Sequence, residues 1–441
     1  MDKRLSEIQY NIAKADITDG RVQNLASYIN VDLLEEIHYS MDKNKAAGVD
    51  KVTKDEYGKN LEVNLMNLVA RMKSGRYRPN PSRRVYIPKE GKAAMRPLGI
   101  SCYEDKLVEN AIARILMPIY EPQFYDMSYG FRPRRNCHQA IRKLIRAIQS
   151  DLTSYVVEAD IRGFFDNVDH EWLIKMLEHD IADRKFIDLI RKFLKAGIME
   201  NGKYLDSETG TPQGNGASPI LANVYLHYVL DNWFDVVVQR WCRGRCHLIR
   251  YADDFVCCFQ YKAEAEEFRR ALEVHMRKYG LELAEDKTRI LEFGRFAVTD
   301  RKSRGQGKPE TFDFLGFTFY CSTDRQKKFF RCKVMSSAKR MRTKLKAMNK
   351  WIKDNRNMRL DQLIKRINDR LRGYYQYYCV TDNIKRVVRF YDSTQDFLFK
   401  WLNRRSQRRS YTWDTFANGL LRTYPLIRPK IKVNLYLRDM C

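Results

Sequence analysis

Two adjacent aspartates, Asp253 and Asp254, lie between two short apolar runs that are rich in β-forming residues. The runs cover residues 247–250 and 255–259, so their spacing predicts a hairpin with both carboxylates at its tip. Carboxylate oxygens held at a rigid turn are suitable ligands for Mg²⁺. Aspartate is also common in turns, so the pair taken alone is explained more simply as an acidic turn.

A third aspartate, Asp160, favours chemistry over that simpler explanation. It follows the β-forming run at residues 155–157 and precedes a turn that contains Gly163. Phosphoryl transfer between polyanions uses two divalent ions about 4 Å apart, one at the attacking 3′-oxygen and one at the triphosphate. Asp160 alone is equally explained as a turn residue at a strand end. Three carboxylates on two adjacent strands, however, supply the clustered negative charge that two Mg²⁺ ions require.

The charge of the chain favours a polyanionic partner. Lys and Arg number 81 against 55 Asp and Glu, which gives a formal net charge of +26. Residues 333–441 contain 27 of the basic and 8 of the acidic residues, so contacts with nucleic acid are expected there. Ten cysteines without a secretory signal indicate a reducing cytosol rather than disulfides or structural zinc. No apolar run approaches about 20 residues, so no membrane span is predicted.

Hydrophobic periodicity predicts a mixture of helices and strands, an α+β fold. Helices are predicted within residues 1–75 and over 104–120 (ending near Pro118), 137–149, 171 onward, 218–233, 263–279 and beyond 335; strands are predicted at 84–87, 95–100, 154–159, 280–283, 312–320 and 329–334. Ser218 and Pro219 are expected to be the N-cap and first residue of their helix. Polar, glycine-rich residues 299–310 predict a loop.

Several motifs occur together in one order along the chain. They are Ala47-Gly48-Val49-Asp50, Ile87-Pro88-Lys89 with Arg96-Pro97-Leu98-Gly99-Ile100, Gly130-Phe131-Arg132-Pro133, Asp160 with Phe165, Gln213-Gly214-x-x-x-Ser218-Pro219, Tyr251-Ala252-Asp253-Asp254 and Phe312-Asp313-Phe314-Leu315-Gly316. The aspartate motifs resemble the palm of reverse transcriptases. The whole set, which covers essentially the entire chain, resembles the group II intron-encoded reverse transcriptase and maturase lineage.

This resemblance implies a right-hand polymerase with four parts. They would be a helical N-terminal extension over residues 1–75, fingers and a palm with an antiparallel sheet over 76–335, a helical thumb or maturase domain over 336–400, and a basic DNA-binding segment over 401–441. Relatives sometimes have a Cys-rich HNH nuclease after the last segment. No such cysteine pairs or His cluster occur in this sequence, so a protein without that nuclease is expected.

The helical thumb would combine basic faces with aromatic residues. Lys and Arg fill the helix faces that apolar residues leave, so phosphate contacts with a steep salt dependence are expected. The segment Leu371-Arg372-Gly373-Tyr374-Tyr375-Gln376-Tyr377-Tyr378 resembles the aromatic signature of this domain. Its tyrosines could stack on bases, but core packing with hydroxyls at the surface is favoured.

The resemblance also implies roles for individual residues. The metal ligands would be Asp160, Asp253 and Asp254 with the backbone carbonyl of Ile161; nucleotide-binding residues would be Lys89, Arg96, Phe165, Gln213 and Ala252; and template–primer or phosphate contacts would be Arg132, Lys287, Leu315 and Gly316. Most of these residues also have a simpler explanation that needs no contact with a ligand. These explanations are a solvated hairpin tip for Lys89 and Arg96, a core aromatic for Phe165, a helix-entry loop for Gln213, a surface lysine for Lys287 and a bulge in a buried strand for Leu315-Gly316.

The implied function is RNA-directed DNA polymerisation with two Mg²⁺ ions, together with assistance to splicing of a host group II intron. The expected partners are group II intron-type RNA, an RNA template–DNA primer duplex, target DNA and deoxynucleoside triphosphates, in a bacterial-type cytoplasm at the nucleoid. Two alternatives remain: an RNA-binding splicing cofactor whose polymerase is idle, and a domesticated relative that serves DNA repair, phage defence or a CRISPR locus. The intact aspartates argue against an idle polymerase.

Overall fold

The computed structural model describes residues 20–88, 95–150, 152–200, 202–206, 209–211, 214–324, 326–405 and 410–437. These residues form helices and three β-sheets, which confirms the predicted α+β class. Lys89 and Gln213, two of the predicted nucleotide-binding residues, lie outside the described residues.

The elements are numbered in chain order. The α-helices of five or more residues are α1 (Val31–Ser40), α2 (Lys54–Gly58), α3 (Leu61–Lys73), α4 (Tyr103–Tyr120), α5 (Cys137–Ser150), α6 (His170–Asp180), α7 (Arg184–Leu194), α8 (Ser218–Leu226), α9 (Lys262–Arg277), α10 (Ala297–Ser303), α11 (Ala338–Asp354), α12 (Leu360–Tyr378) and α13 (Ile384–Leu402). The strands are β1 (Ser82–Pro88), β2 (Met95–Ile100), β3 (Tyr155–Ala159), β4 (Ile198–Glu200), β5 (Lys203–Leu205), β6 (Cys246–Tyr251), β7 (Asp254–Phe259), β8 (Arg289–Glu292), β9 (Phe312–Phe314), β10 (Phe317–Thr323) and β11 (Phe330–Ser336).

The first sheet has the strand order β2-β1-β4-β5. β1 and β2 are antiparallel, with Val85 opposite Leu98 and Ile87 opposite Arg96, so the predicted hairpin forms. β1 pairs with β4 in parallel through Ser82 and Ile198. Because Arg96 is on the outer strand of this sheet, its side chain remains exposed.

The second sheet is antiparallel throughout, with the order β6-β7-β3-β8. Side chains on a strand alternate between its two faces. Val157 on β3 therefore belongs to one buried core together with Phe268 of α9. Val156, its neighbour, belongs to a second core together with Leu144 of α5. The sheet thus lies between two apolar cores. Because both of its faces are buried, the residues at the ends of its strands are held in fixed positions.

The second core continues into the C-terminal third of the chain. It includes apolar residues of the third sheet, β11-β10-β9, and of helices α11, α12 and α13. Their opposite faces contain the exposed basic residues, as the hydrophobic pattern predicted. No helix among the described residues combines the length and apolar character needed to cross a bilayer.

Two predicted strands differ from the structure. Residues 280–283 form only a single bridge, between Leu283 and Ile161, because the chain turns at once through Ala284–Thr288; the strand β8 begins later. The predicted strand at 312–320 is divided by a turn at Leu315 and Gly316, both with positive φ. The alternative of a bulge within one strand is therefore wrong.

Three helix predictions also need correction. Ser218 is the first residue of α8 rather than its N-cap, a position that Ala217 occupies. Pro118 lies inside α4, which continues to Tyr120. The predicted loop at 299–310 begins within a short helix, α10, which ends where Gly305 adopts the left-handed conformation typical of helix C-termini.

Candidate active site

The three predicted catalytic aspartates meet at one end of the second sheet. β3 and β7 are antiparallel neighbours with Ala159 opposite Phe255. Asp160, the next residue after β3, therefore lies beside Asp254, the first residue of β7. Paired residues on such strands have Cα atoms about 4.5–5.5 Å apart. Asp253 occupies the adjoining turn between β6 and β7.

The carboxylates influence one another electrostatically. Burial, followed by repulsion from Asp253 and Asp160, raises the pKa of Asp254 to about 6, although its side chain is still accessible to solvent. Burial and Asp160 also raise the pKa of Asp253, against the opposing effects of Arg96 and Arg250. The net upward shifts show that burial, together with the neighbouring carboxylates, outweighs the effect of the nearby cations on both pKa values.

Lys287 lies at this cluster. Its ammonium group forms an ion pair with Asp160, and this contact raises the pKa of Lys287. Lys287 also opposes the upward pKa shift of Asp254. Lys287 is thus a counter-ion of the carboxylate cluster. The sequence alone allowed two interpretations, a surface lysine or a substrate contact.

The donor set fits Mg²⁺ in chemical type, because the cluster consists of hard carboxylate oxygens. Within the described ranges, no three His, Cys, Asp or Glu side chains already lie in a metal-holding arrangement. Metal binding would therefore require the aspartate side chains to turn towards a common point and Lys287 to release Asp160. Ile161 is buried, and the hydrogen bonds of its bridge to Leu283 use the carbonyls of Asp160 and Glu282 rather than its own.

The hairpin turn has a strained residue beneath the carboxylates. Ala252 is buried and has φ 57°, a conformation that is uncommon for residues with a Cβ. Gly130 lies directly against it, and a Cβ on Gly130 would be 2.2 Å from the Ala252 nitrogen. Arg250 Nη1 donates a hydrogen bond to the Ala252 carbonyl at 3.0 Å. Gly130 and Arg250 therefore fix the backbone from which Asp253 projects.

Arg250 is itself held by a buried network. Its side chain is fully buried and forms a bidentate ion pair with Asp231, with Nε 2.7 Å from Oδ1. Asn223 accepts a further bond from Arg250 at 3.1 Å and donates to the Gly130 carbonyl at 2.7 Å. Sequence reasoning missed all three residues, although a charged residue within the apolar run 247–250 was an available signal.

Arg132 has a different position from the one expected for a phosphate contact. Its side chain is only 3% exposed. It donates to the carbonyls of Tyr125 at 2.7 Å and Ser128 at 2.8 Å, and it forms an ion pair with Glu121 at 3.0 Å. The guanidinium group is therefore satisfied inside the protein, where it holds the loop that includes Gly130. We correct its predicted role from ligand contact to internal support.

Two of the predicted nucleotide-binding residues, Arg96 and Phe165, are at least partly exposed to solvent. Arg96 on β2 is exposed and close enough to lower the pKa of Asp253. Phe165 is half-buried beside the fully buried Phe164, with ring centroids 5.3 Å apart, so part of its ring faces solvent. The carbonyl of Phe165 accepts a 2.7 Å hydrogen bond from Thr211 at the start of the loop that leads to α8.

The loop before α8 is held by a buried acid that the sequence did not reveal. Glu109 on α4 is 1% exposed and accepts a hydrogen bond from the Gly216 nitrogen at 3.0 Å. Burial raises the pKa of Glu109 to about 7. On the other side of the loop, a Cβ at Gly214 would be 2.8 Å from the Gly99 carbonyl oxygen, so the loop lies directly against β2.

Comparison with protein families agrees with this architecture. The model for the reverse transcriptase (RNA-dependent DNA polymerase) family matches residues 87–319, more than half of the chain. The model for the group II intron maturase-specific domain matches residues 338–417. The second match covers the basic helices α11 to α13.

Individual relatives support the same assignment. Group II intron-encoded protein LtrA of Lactococcus lactis is 42% identical over 196 residues, which are 44% of this chain and 32% of the relative. Protein YkfC of Escherichia coli is 34% identical over 329 residues, 65% of this chain and 84% of the relative. A 91 kDa protein in the cob intron of Schizosaccharomyces pombe is 40% identical over 178 residues, 40% of this chain and 21% of the relative.

The chain thus spans about a third of the length of the Lactococcus relative but most of the Escherichia one. The resemblance seen in the sequence motifs is confirmed by these matches. Because the first family model covers most of the first sheet and all of the second, and the second model covers the basic helices, the chain belongs to the reverse transcriptase family and contains a group II intron maturase-specific domain.

Proposed function

We propose that the protein is an RNA-directed DNA polymerase that copies intron RNA into DNA and assists the splicing of its host group II intron. The observation on which the polymerase rests is the cluster of Asp160, Asp253 and Asp254 at the end of a rigid sheet, with exposed Arg96 nearby. The proposed substrates are an RNA template–DNA primer duplex and deoxynucleoside triphosphates. Target DNA and intron RNA are the proposed partners, in a bacterial-type cytoplasm at the nucleoid.

In this proposal the three aspartates and the Ile161 carbonyl hold two Mg²⁺ ions. The ions would make the primer 3′-hydroxyl more acidic and would neutralise negative charge on the triphosphate. The repulsion that Asp253 and Asp160 exert on Asp254 supports this role, because a cation bound among the three carboxylates would relieve it. Lys287, the counter-ion of Asp160, would then be released to contact the triphosphate or the template–primer.

The surrounding residues would orient the nucleotide. Arg96 and Lys89 would bind triphosphate oxygens, since transferred phosphates require nearby cations. Phe165 presents part of its ring to solvent and would contact the deoxyribose, where it would exclude a 2′-hydroxyl by its volume. Gln213 would bind the sugar or phosphate. Ala252 would lie near the nucleotide and, as a small residue, would let the backbone approach it closely.

The chain would be organised into four functional parts. These are the extension at 1–75, the fingers and palm at 76–335, the thumb or maturase domain at 336–400 and the DNA-binding segment at 401–441. Leu315 and Gly316 would support the primer from the palm side of the thumb. The two family matches, which end at residue 319 and begin at residue 338, support a boundary between the palm and the thumb.

Primer extension tests the polymerase. Asp253→Asn removes a ligand charge while retaining the side-chain volume. We expect it to lower DNA synthesis on an RNA template in Mg²⁺ by about a thousandfold or more, the scale of losing a metal-held transition-state contact. Asp300→Asn, an exposed acid on α10, is the control and should extend at the wild-type rate. Equal synthesis by wild type and Asp253→Asn would contradict the proposal.

Splicing can be tested with the same variant. The exposed basic residues of the maturase-specific helices, rather than the carboxylates, would bind intron RNA. Asp253→Asn should therefore support splicing of the cognate intron as well as the wild type does. Loss of splicing in a folded Asp253→Asn protein would show that the two activities share the carboxylate site.

A further inference from the structure

The turn between β9 and β10 lies close to the carboxylate cluster. Leu315 and Gly316 form this turn with φ values of 48° and 80°. A Cβ on Gly316 would be 3.2 Å from the Arg340 side chain, and Arg340 is near enough to Asp254 to lower its pKa. Leu315 is in the left-handed region, which disfavours residues with a Cβ, so surrounding contacts must hold the turn in place.

A tyrosine from the maturase-specific domain provides such a contact. The Tyr377 hydroxyl on α12 donates a 2.6 Å hydrogen bond to the Leu315 carbonyl. Its ring stacks on Phe317, the first residue of β10, with centroids 5.6 Å apart. Tyr377 thus contacts the turn through its hydroxyl and the strand after the turn through its ring.

Tyr377 is fixed from a third side by α5. His138 Nε2 is 2.8 Å from the Tyr377 carbonyl oxygen, and the two rings lie 5.4 Å apart. The thiol of Cys137 lies near the hydroxyls of both Tyr377 and Tyr251, the tyrosine of the hairpin motif, and it helps to raise the pKa of each. Tyr377 therefore contacts the turn and lies near the hairpin that presents Asp253.

We propose that Tyr377 is a positioning residue that sets the Leu315-Gly316 turn, so that the maturase-specific domain controls where the primer end lies at the polymerase site. This inference rests on the proposed polymerase function. The contribution of the hydroxyl goes beyond core packing, because the ring alone would fill the same volume. Removing the hydroxyl should therefore change primer use without changing the fold.

The test is Tyr377→Phe, with Tyr375→Phe as a matched control. Tyr375 lies on the same helix, and its hydroxyl also donates to a backbone carbonyl, that of Ile427 at 2.9 Å. We expect Tyr377→Phe to raise the KM for primer–template about five- to tenfold, the scale of one lost hydrogen bond, and to shorten the products made per binding event. Tyr375→Phe should keep the wild-type KM, and both variants should bind template RNA without primer as the wild type does.

Amide hydrogen exchange gives a readout that does not depend on activity. Peptides that cover residues 312–320 should exchange faster in Tyr377→Phe than in Tyr375→Phe or the wild type, because the turn has lost its donor. An unchanged KM and unchanged exchange in Tyr377→Phe would overturn the inference, as would equal effects of both variants. If the wild type itself extends no primer, the proposed function fails, which is a distinguishable result.

Discussion

Arginines under the hairpin and arginines on the basic helices are the same residue type in opposite settings. Arg250 and Arg132 are buried and satisfied by carboxylates and backbone carbonyls. On α11, by contrast, all seven Lys and Arg side chains are exposed, and Asp354 is the only acidic residue. Burial thus decides whether a cation fixes the geometry of the protein or presents charge to a polyanion.

This difference predicts which property each substitution affects. A buried ion pair is costly to break, because the remaining charge is left without a partner in a low-dielectric interior. An exposed cation contributes little to stability but adds to phosphate binding. The catalytic sheet and the basic helices should therefore respond to charge removal in separate assays.

The largest effect is expected for Arg250→Ala. Asp231 would remain buried without its partner, so the free energy of unfolding should fall by about 3–5 kcal/mol. Replacing both residues, as in Arg250→Met with Asp231→Leu, should restore much of the stability because no buried charge is then unpaired. Primer extension should stay low in the double variant, since the Ala252 carbonyl still lacks its donor. Urea denaturation and extension rates measure the two effects.

An exposed cation provides the contrast. Lys346→Ala on α11 should change the free energy of unfolding by less than about 0.5 kcal/mol. The affinity of the Lys346→Ala variant for RNA should decrease. A plot of the logarithm of affinity against the logarithm of salt concentration should become shallower by the equivalent of about one phosphate contact. A destabilisation of Lys346→Ala comparable to that of Arg250→Ala would remove the proposed distinction between the two regions.

Two glycines allow a comparison without charge. Gly130→Ala places a Cβ 2.2 Å from the Ala252 nitrogen, so the hairpin or its supporting loop must shift, at a cost of about 1–3 kcal/mol in stability. The rate of primer extension should decrease by more than the loss of stability alone would cause, because Asp253 directly follows Ala252, the residue that is displaced. Gly373→Ala is the control: apart from the adjoining backbone of its own helix, no atom lies within 4 Å of the added Cβ, and in the middle of α12 the substitution should stabilise the protein by about 0.5–1 kcal/mol. Thermal unfolding and primer extension of both variants check this prediction.

Local patterns were sufficient to predict the hairpin and the placement of its carboxylates. The strands on either side of Asp253 and Asp254 are short runs of β-forming residues, and a similar run precedes Asp160. Such elements are determined mainly by residues that are close together in the sequence, so composition and spacing are sufficient to predict them. The prediction of basic, amphipathic helices beyond residue 335 succeeded for the same reason.

The contacts that fix the site were not predictable in this way. Arg250 is 27 residues from Asn223, Glu109 is 107 from Gly216 and Lys287 is 127 from Asp160. Such pairs form only when separate elements fold together, and a single sequence does not show which partner a charged residue will find. Arg132 illustrates the consequence, since its motif suggested a phosphate contact and its burial shows an internal role.

The buried acid Glu109 gives a predicted effect that depends on pH. Its folded-state pKa, about 7, lies above its ordinary value of 4.5, so between these values the native protein keeps a proton that the unfolded chain has released. Stability from this group is therefore present below about pH 4.5 and is lost as the pH rises through 7. The loss should be on the order of 1–3 kcal/mol.

Glu109→Gln removes that titration and retains an oxygen that can accept the Gly216 hydrogen bond. Relative to this variant, the wild type should lose stability from pH 4.5 to 7, so that the variant is the more stable protein at pH 8. Using the difference between the two proteins cancels other buried acids, such as Asp105, whose pKa burial raises to about 6. Glu285→Gln, an exposed substitution, should show the wild-type pH dependence. A difference between wild type and Glu109→Gln that is constant across this pH range would show that Glu109 has the same pKa in the folded and unfolded states, and that burial does not govern its charge.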